Sequence, residues 1–183
     1  MIKITGLGAP LGDEKLSFKG RLAFPPGVPS GFDPSANGAQ VLIEDLGSGA
    51  AAVFNLTYLT TPVPPTAPGT GCDSSRDGWK TNKPKTRHKY KNKSGAINPP
   101  VCTAGSAKGL NLIKFKDERA AKGVIAFIVK TKDSALSQPV GPLRGTIVSG
   151  ATSAESAGGQ CGTVTFSPSA CRYNPNGSTL TCK

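Results

Sequence analysis

The sequence predicts an all-β fold: an antiparallel β-sandwich with disulfides and long Pro/Gly-rich loops. Three observations carry this. Apolar residues alternate with polar ones rather than recurring every three or four positions, which is the period of a strand. Gly (23) and Pro (16) make up about a fifth of the 183 residues, and these are the two costliest residues in a helix interior. Five cysteines (Cys72, Cys102, Cys161, Cys171 and Cys182) include no Cys-x-x-Cys pair and accompany a single histidine. That spacing supports disulfides in an oxidising compartment better than a tetrahedral zinc site.

The elements follow in order. Ile2-Lys3-Ile4 is strand-like from the start of the chain. Leu16, Phe18 and Leu22-Ala23-Phe24 read as a strand stopped by Pro25-Pro26-Gly27. Val41-Leu42-Ile43 is the next, then a Gly47-Ser48-Gly49 turn, then Val53 to Leu59, rich in β-branched and aromatic residues. The Pro-rich stretch 62–69 cannot hold a central strand, because proline has no N–H to give to a ladder. It reads as a surface crossing, with a candidate subdomain boundary near 62–70 in what is otherwise a single β-sandwich domain over 1–183. Leu110 to Phe115 is a further strand. Val124 to Val129 is apolar on both faces and belongs at the centre of a sheet. Gly145 to Val148 and Thr163 to Phe166 follow. Asn176-Gly177 predicts a two-residue type I′ hairpin turn, and counting outward pairs Pro175 with Ser178, Tyr173 with Leu180 and Cys171 with Cys182. The two halves are loosely alike in their alternating lysines, Lys15-Leu16-Ser17-Phe18-Lys19 and Ile113-Lys114-Phe115-Lys116.

The formal charge is +11, from 22 Lys+Arg against 11 Asp+Glu, which favours acidic partners. The strongest local signal is a basic ribbon. Lys83, Lys85, Arg87, Lys89, Lys91 and Lys93 occupy every second position. If 83–93 is extended, all six share one face, about 6.6 Å apart. The other face, with Pro84, Thr86, His88, Tyr90 and Asn92, reads as only weakly core-like. Such a ribbon suits an anionic polysaccharide or other polyanion; lysines on an edge strand also guard against aggregation. Cys72 and Cys102 bracket the ribbon, and a bridge between them would stabilise by roughly 3–4 kcal/mol in the chain-entropy model. Other connectivities stay open. The odd cysteine, taken as Cys161, and an edge strand are candidates for self-association.

Asp33, Ser35, Asn37 and Glu44, with Gly38 between, match the spacing of a calcium loop, although position 3 is Ser and only two ligands are charged. A turn running into a strand explains the same residues. Catalysis has little support. His88 lies inside a cation run that disfavours its protonated form. The acid pairs Asp13-Glu14, Glu44-Asp45 and Asp117-Glu118 read as turn or strand-end surface. No apolar run reaches the ~20 residues of a spanning helix.

Asp33-Pro34, Gly38-Ala39-Gln40-Val41-Leu42-Ile43, Gly78-Trp79-Lys80 and Lys89-Tyr90-Lys91-Asn92 together resemble a β-rich domain that recurs in uncharacterised exported bacterial proteins. The resemblance implies an exported β-domain and carries over no functional residue. The expectation is a secreted or cell-surface, non-catalytic module presenting a basic ribbon to anionic polymers or surfaces. One alternative is a structural or spacer subunit of a surface or filamentous assembly. Another is a calcium-dependent carbohydrate-binding sandwich.

Overall fold

The computed structural model describes residues 1–8, 10–24, 32–56, 63–64, 71–73, 77–97, 102–150 and 160–183. In chain order the strands among them are β1 (Ile2–Thr5), β2 (Lys15–Ala23), β3 (Ala39–Asp45), β4 (Ala51–Leu56), β5 (Gly78–Thr81), β6 (Arg87–Lys91), β7 (Leu110–Glu118), β8 (Val124–Thr131), β9 (Leu143–Ser149), β10 (Cys161–Thr165), β11 (Cys171–Tyr173) and β12 (Thr179–Cys182). Two four-residue helices, α1 (Pro34–Asn37) and α2 (Arg119–Lys122), join them. The strands form an eight-stranded sheet, ordered β11-β12-β1-β2-β8-β7-β6-β5, and a four-stranded sheet, ordered β10-β9-β3-β4. Every ladder is antiparallel. Among the described residues no helix is long and apolar enough to cross a membrane.

Sequence alternation becomes two-sidedness directly. In β2, Leu16, Phe18 and Leu22 are buried while Lys15, Lys19 and Arg21 are exposed. β8 sits between β2 and β7, as its doubly apolar run predicts: Ile125, Phe127 and Val129 point into the core, Ala126 and Ile128 outward. The sheets pack as a sandwich around one contiguous core that includes Phe18, Trp79, Phe115 and Ile147. Glycines of the small sheet sit close against the large one: a Cβ on Gly162 of β10 would lie 2.1 Å from Leu22 of β2. A Cβ on Gly145 of β9 would lie 2.9 Å from the Phe18 ring and 3.0 Å from Ile2. Within the large sheet the Phe127 ring covers Gly20 and meets Phe18 edge-on, at 4.8 Å between centroids.

The Pro-rich crossing lies mostly outside the described residues. Val63 is inside them and exchanges two 2.9 Å backbone hydrogen bonds with Ala39, and the Pro64 carbonyl accepts from Trp79 Nε1 at 2.9 Å. Strands before and after the crossing are laddered together in both sheets, β2 with β8 and β3 with β9.

Both disulfides expected from the sequence are present, Cys72–Cys102 and Cys171–Cys182. The C-terminal register is as counted, with Tyr173 opposite Leu180 and Cys171 opposite Cys182. The turn differs. A type I′ turn needs φ > 0 at both central residues, and Asn176 does not have it. Gly177 N–H bonds to the Asn174 carbonyl at 3.0 Å, so Pro175 and Asn176 are the central pair and Gly177 follows at φ 72°. Proline's fixed φ suits the first central position and its missing N–H excludes a ladder pair with Ser178. The longer loop has the same centre, which preserves the register.

Candidate anion-binding face

Of the six ribbon cations, three lie on a strand, two in a turn and one just past the strand's end. Lys83 and Lys85 lie in the tight connection between β5 and β6, not on an extended strand. Lys85 has φ 52°, and its N–H bonds to the Asn82 carbonyl at 2.8 Å. Asn82 closes this loop by accepting the Arg87 N–H at 2.8 Å. Arg87, Lys89 and Lys91 do alternate outward on β6, and Lys93 is exposed just past its end. Of the opposite face, Pro84 and Thr86 are exposed in the turn, whereas His88, Tyr90 and Asn92 are buried core. The weakly core-like reading of that face is therefore corrected. On the sandwich side Phe32 meets His88 edge-on at 5.5 Å, Trp79 meets Tyr90 at 5.4 Å, and Phe115 packs against both Phe32 and Trp79.

The cations of β6 belong to a larger surface. Directly opposed residues of an antiparallel pair share a face. Lys89 is opposite Lys80 of β5 and Lys114 of β7, and Arg87 is opposite Lys116. Continuing through β8, Lys114 aligns with Ile128, which aligns with Lys19 of β2; Lys116 aligns with Ala126, which aligns with Arg21. Lys15, Lys130, Lys3 and Arg172 occupy the same face on β2, β8, β1 and β11. Twelve of the 22 Lys+Arg residues thus project from one side of one sheet. The one acid at an outward strand position there is Glu118, which binds Lys116 at 2.5 Å and Lys122 at 3.5 Å. On the outer side of the small sheet, β3, β9 and β10 carry one charged pair, Glu44 with Arg144. Lys89 is held below the usual lysine pKa by partial desolvation and then by Lys91, Lys114 and Lys80. The alternating Lys15–Lys19 and Lys114–Lys116 segments were the visible signal for this face. Only the register shows that they lie beside β6.

Buried acids anchor loops of both sheets. Asp77, 3% exposed, accepts the N–H groups of Lys93 (2.6 Å), Ser94 (3.2 Å) and Asp73 (3.2 Å), and the Ser94 hydroxyl. It ties the end of β6 to the segment holding Cys72. Glu14 and Asp45 are also buried rather than surface residues. Glu14 accepts from Gly12 and Leu136 N–H. Asp45 accepts from Gly47, Val140 and Gly141 N–H and from the Ser48 hydroxyl. Asp117 pairs with Arg119 at 2.7 Å.

His88 has both ring nitrogens engaged. The Lys85 carbonyl can only accept, so Nε2 donates to it at 3.0 Å, and Nδ1 accepts from the Thr81 hydroxyl at 3.0 Å. Its pKa is lowered, as the cation run suggested, but burial is the leading cause; Asp33 and Asp117 oppose the shift.

The calcium spacing does not assemble a site. Asp33 caps α1, accepting from Ser35 and Ala36 N–H and the Ser35 hydroxyl, and its other oxygen holds Lys85 Nζ at 3.2 Å. Burial raises the Asp33 pKa, but the Ser35 and Lys85 hydrogen bonds outweigh it and the net shift is downward. Ser35 and Asn37 lie on α1, while Glu44 is clasped by Arg144 through two 2.7 Å bonds on the small sheet. A helical turn followed by an extended strand carries Glu44 away instead of wrapping it back. Among the described residues no group of three or more His, Cys, Asp or Glu is placed to hold a metal ion. Cys161 lies exposed on the edge strand β10.

Comparison with known proteins yields no matching family model, no similar curated protein and no similar solved structure.

Proposed function

We propose that this protein is a non-catalytic, extracellular interaction module whose large sheet offers a cationic face to anionic polymers or surfaces. The supporting observation is the segregation of twelve cations on one sheet face against a single acid. Like charges directly opposite on paired strands are destabilising, so an anionic ligand that neutralises them has a favourable electrostatic term. Two disulfides support the extracellular setting, since such bonds persist in oxidising compartments.

The experiment is heparin-column retention as a function of salt. The expected result is retention that falls linearly in log affinity with log salt and collapses in a Lys80→Ser/Lys89→Ser/Lys114→Ser variant. Removal of an equal charge elsewhere, at Lys83 and Lys85 in the β5–β6 turn and at Arg144 on the small sheet, should leave most of it. Equal losses from the two variants would mean that net charge alone is at work and would end the proposal.

A second reading, a structural subunit of a surface assembly, draws on β10. This edge strand carries no charged residue, and Val164 on it is 38% exposed; uncharged edges template pairing between chains. Concentration-dependent assembly abolished by Val164→Lys would favour it.

A further inference from the structure

We propose that an acidic polysaccharide crosses the large sheet at right angles to its strands, from β6 over β8 to β2, rather than running along β6. This rests on the polyanion reading above and names its ligand class and path. The registers build two transverse rows. One runs Lys80, Lys89, Lys114, Ile128, Lys19; the other runs Arg87, Lys116, Ala126, Arg21. Between them lie His88, Phe115, Phe127 and Gly20, whose side chains (where present) point inward; over β6, β7 and β8 this leaves a shallow cleft lined by Arg87, Lys89, Lys114, Lys116, Ala126 and Ile128, and the register carries both rows on to β2.

The transverse path has two cationic stations. Arg87, Lys89, Lys114 and Lys116 surround the first over β6 and β7, and Lys19 and Arg21 flank Gly20 at the second. β8 separates them with only Ala126 and Ile128, which are half-buried and uncharged. At ~4.8 Å per strand, β7 and β2 stand about 9.6 Å apart. The matching ligand carries anionic groups at intervals, with less polar backbone between them to cross the apolar saddle. Sugar rings bearing spaced sulfates or carboxylates have that chemistry. Single-stranded nucleic acid would call for aromatic stacking platforms, and among the described residues the outward strand positions of this sheet carry none. Along β6, by contrast, the cation series breaks at the turn, where Lys85 is drawn to Asp33.

The test measures binding of size-fractionated heparin oligosaccharides to two variants of equal charge loss, each checked by thermal melting. Lys19→Ser/Arg21→Ser should weaken binding of an octasaccharide about tenfold and leave a sulfated monosaccharide, too short to bridge the stations, nearly unaffected. Lys91→Ser/Lys93→Ser should weaken the octasaccharide less than about threefold. Ile128→Glu, which places an acid on the saddle, should act like the first variant. The transverse path is overturned if the Lys91/Lys93 variant loses as much or more, or if affinity does not depend on oligosaccharide length. Preferential binding of single-stranded DNA or anionic vesicles at equal salt would overturn the ligand class. Absence of heparin binding by the unaltered protein would instead defeat the polyanion reading itself.

Discussion

Lys89 of β6 lies directly opposite Lys114 of β7, with Lys80 opposing it from the other side. Directly opposed side chains on paired strands have Cβ atoms about 5 Å apart, and like charges there cost stability. Lys89→Thr should therefore stabilise the fold by roughly 0.2–1 kcal/mol at low ionic strength. The gain should shrink as the Debye length falls from ~10 Å at 0.1 M salt to ~3 Å at 1 M. Urea denaturation at the two salt concentrations measures both. A stability loss at low salt would show that the packing of the lysine stem outweighs the repulsion.

Asp77 satisfies four donors from three loop positions while buried. Truncation to alanine leaves those donors short of a partner, at a cost of roughly 2–3 kcal/mol. Asp77→Asn keeps the shape and should recover part of it. Chemical denaturation gives the magnitude, and hydrogen exchange at Lys93 and Ser94 should rise in both variants.

The disulfides should differ in worth. In the chain-entropy model, the Cys72–Cys102 bridge, spanning 30 residues, contributes about 3.7 kcal/mol and the shorter Cys171–Cys182 bridge about 2.8 kcal/mol. Paired alanine variants, compared by denaturation under oxidising conditions, test the order. Removing the first should also reduce heparin retention, because it closes the loop that carries β5 and β6.

His88 sets a pH dependence. Burial holds its folded pKa below the ordinary value, so near pH 6 the unfolded chain binds a proton that the folded protein does not. Stability should fall as pH drops through ~6.5 and level off once the folded ring is protonated too. As His88 is the sole histidine, His88→Gln should flatten the stability profile between about pH 7 and pH 5. A slope unchanged in the variant would place the linkage elsewhere.

Much of the architecture was legible in the sequence because strand alternation is a local property. Leu16 and Phe18 against Lys15 and Lys19, the doubly apolar 124–129 run, and the Cys171–Cys182 register all depend on neighbours in the chain or across one turn. The hairpin turn sits one residue earlier than the Asn-Gly pair predicts because Pro175, with its fixed φ and no N–H, takes the first central position. The ribbon was overextended because alternation in sequence does not reveal where a chain reverses. Asn82, which closes the reversal by holding the Arg87 N–H, looks ordinary in sequence.

The sequence by itself determined the class of fold, the hairpin register that pairs Cys171 with Cys182, and the excess of positive charge, each a matter of composition or short spacing; the Cys72–Cys102 bridge, across 30 residues, was one of several connectivities. Only the tertiary structure decided that the lysines of β2, β6 and β7 share one surface. Strand order in a sheet comes from which apolar faces pack together, here around Phe18, Phe115 and Phe127, and that choice places residues 19, 89 and 114 in a single row.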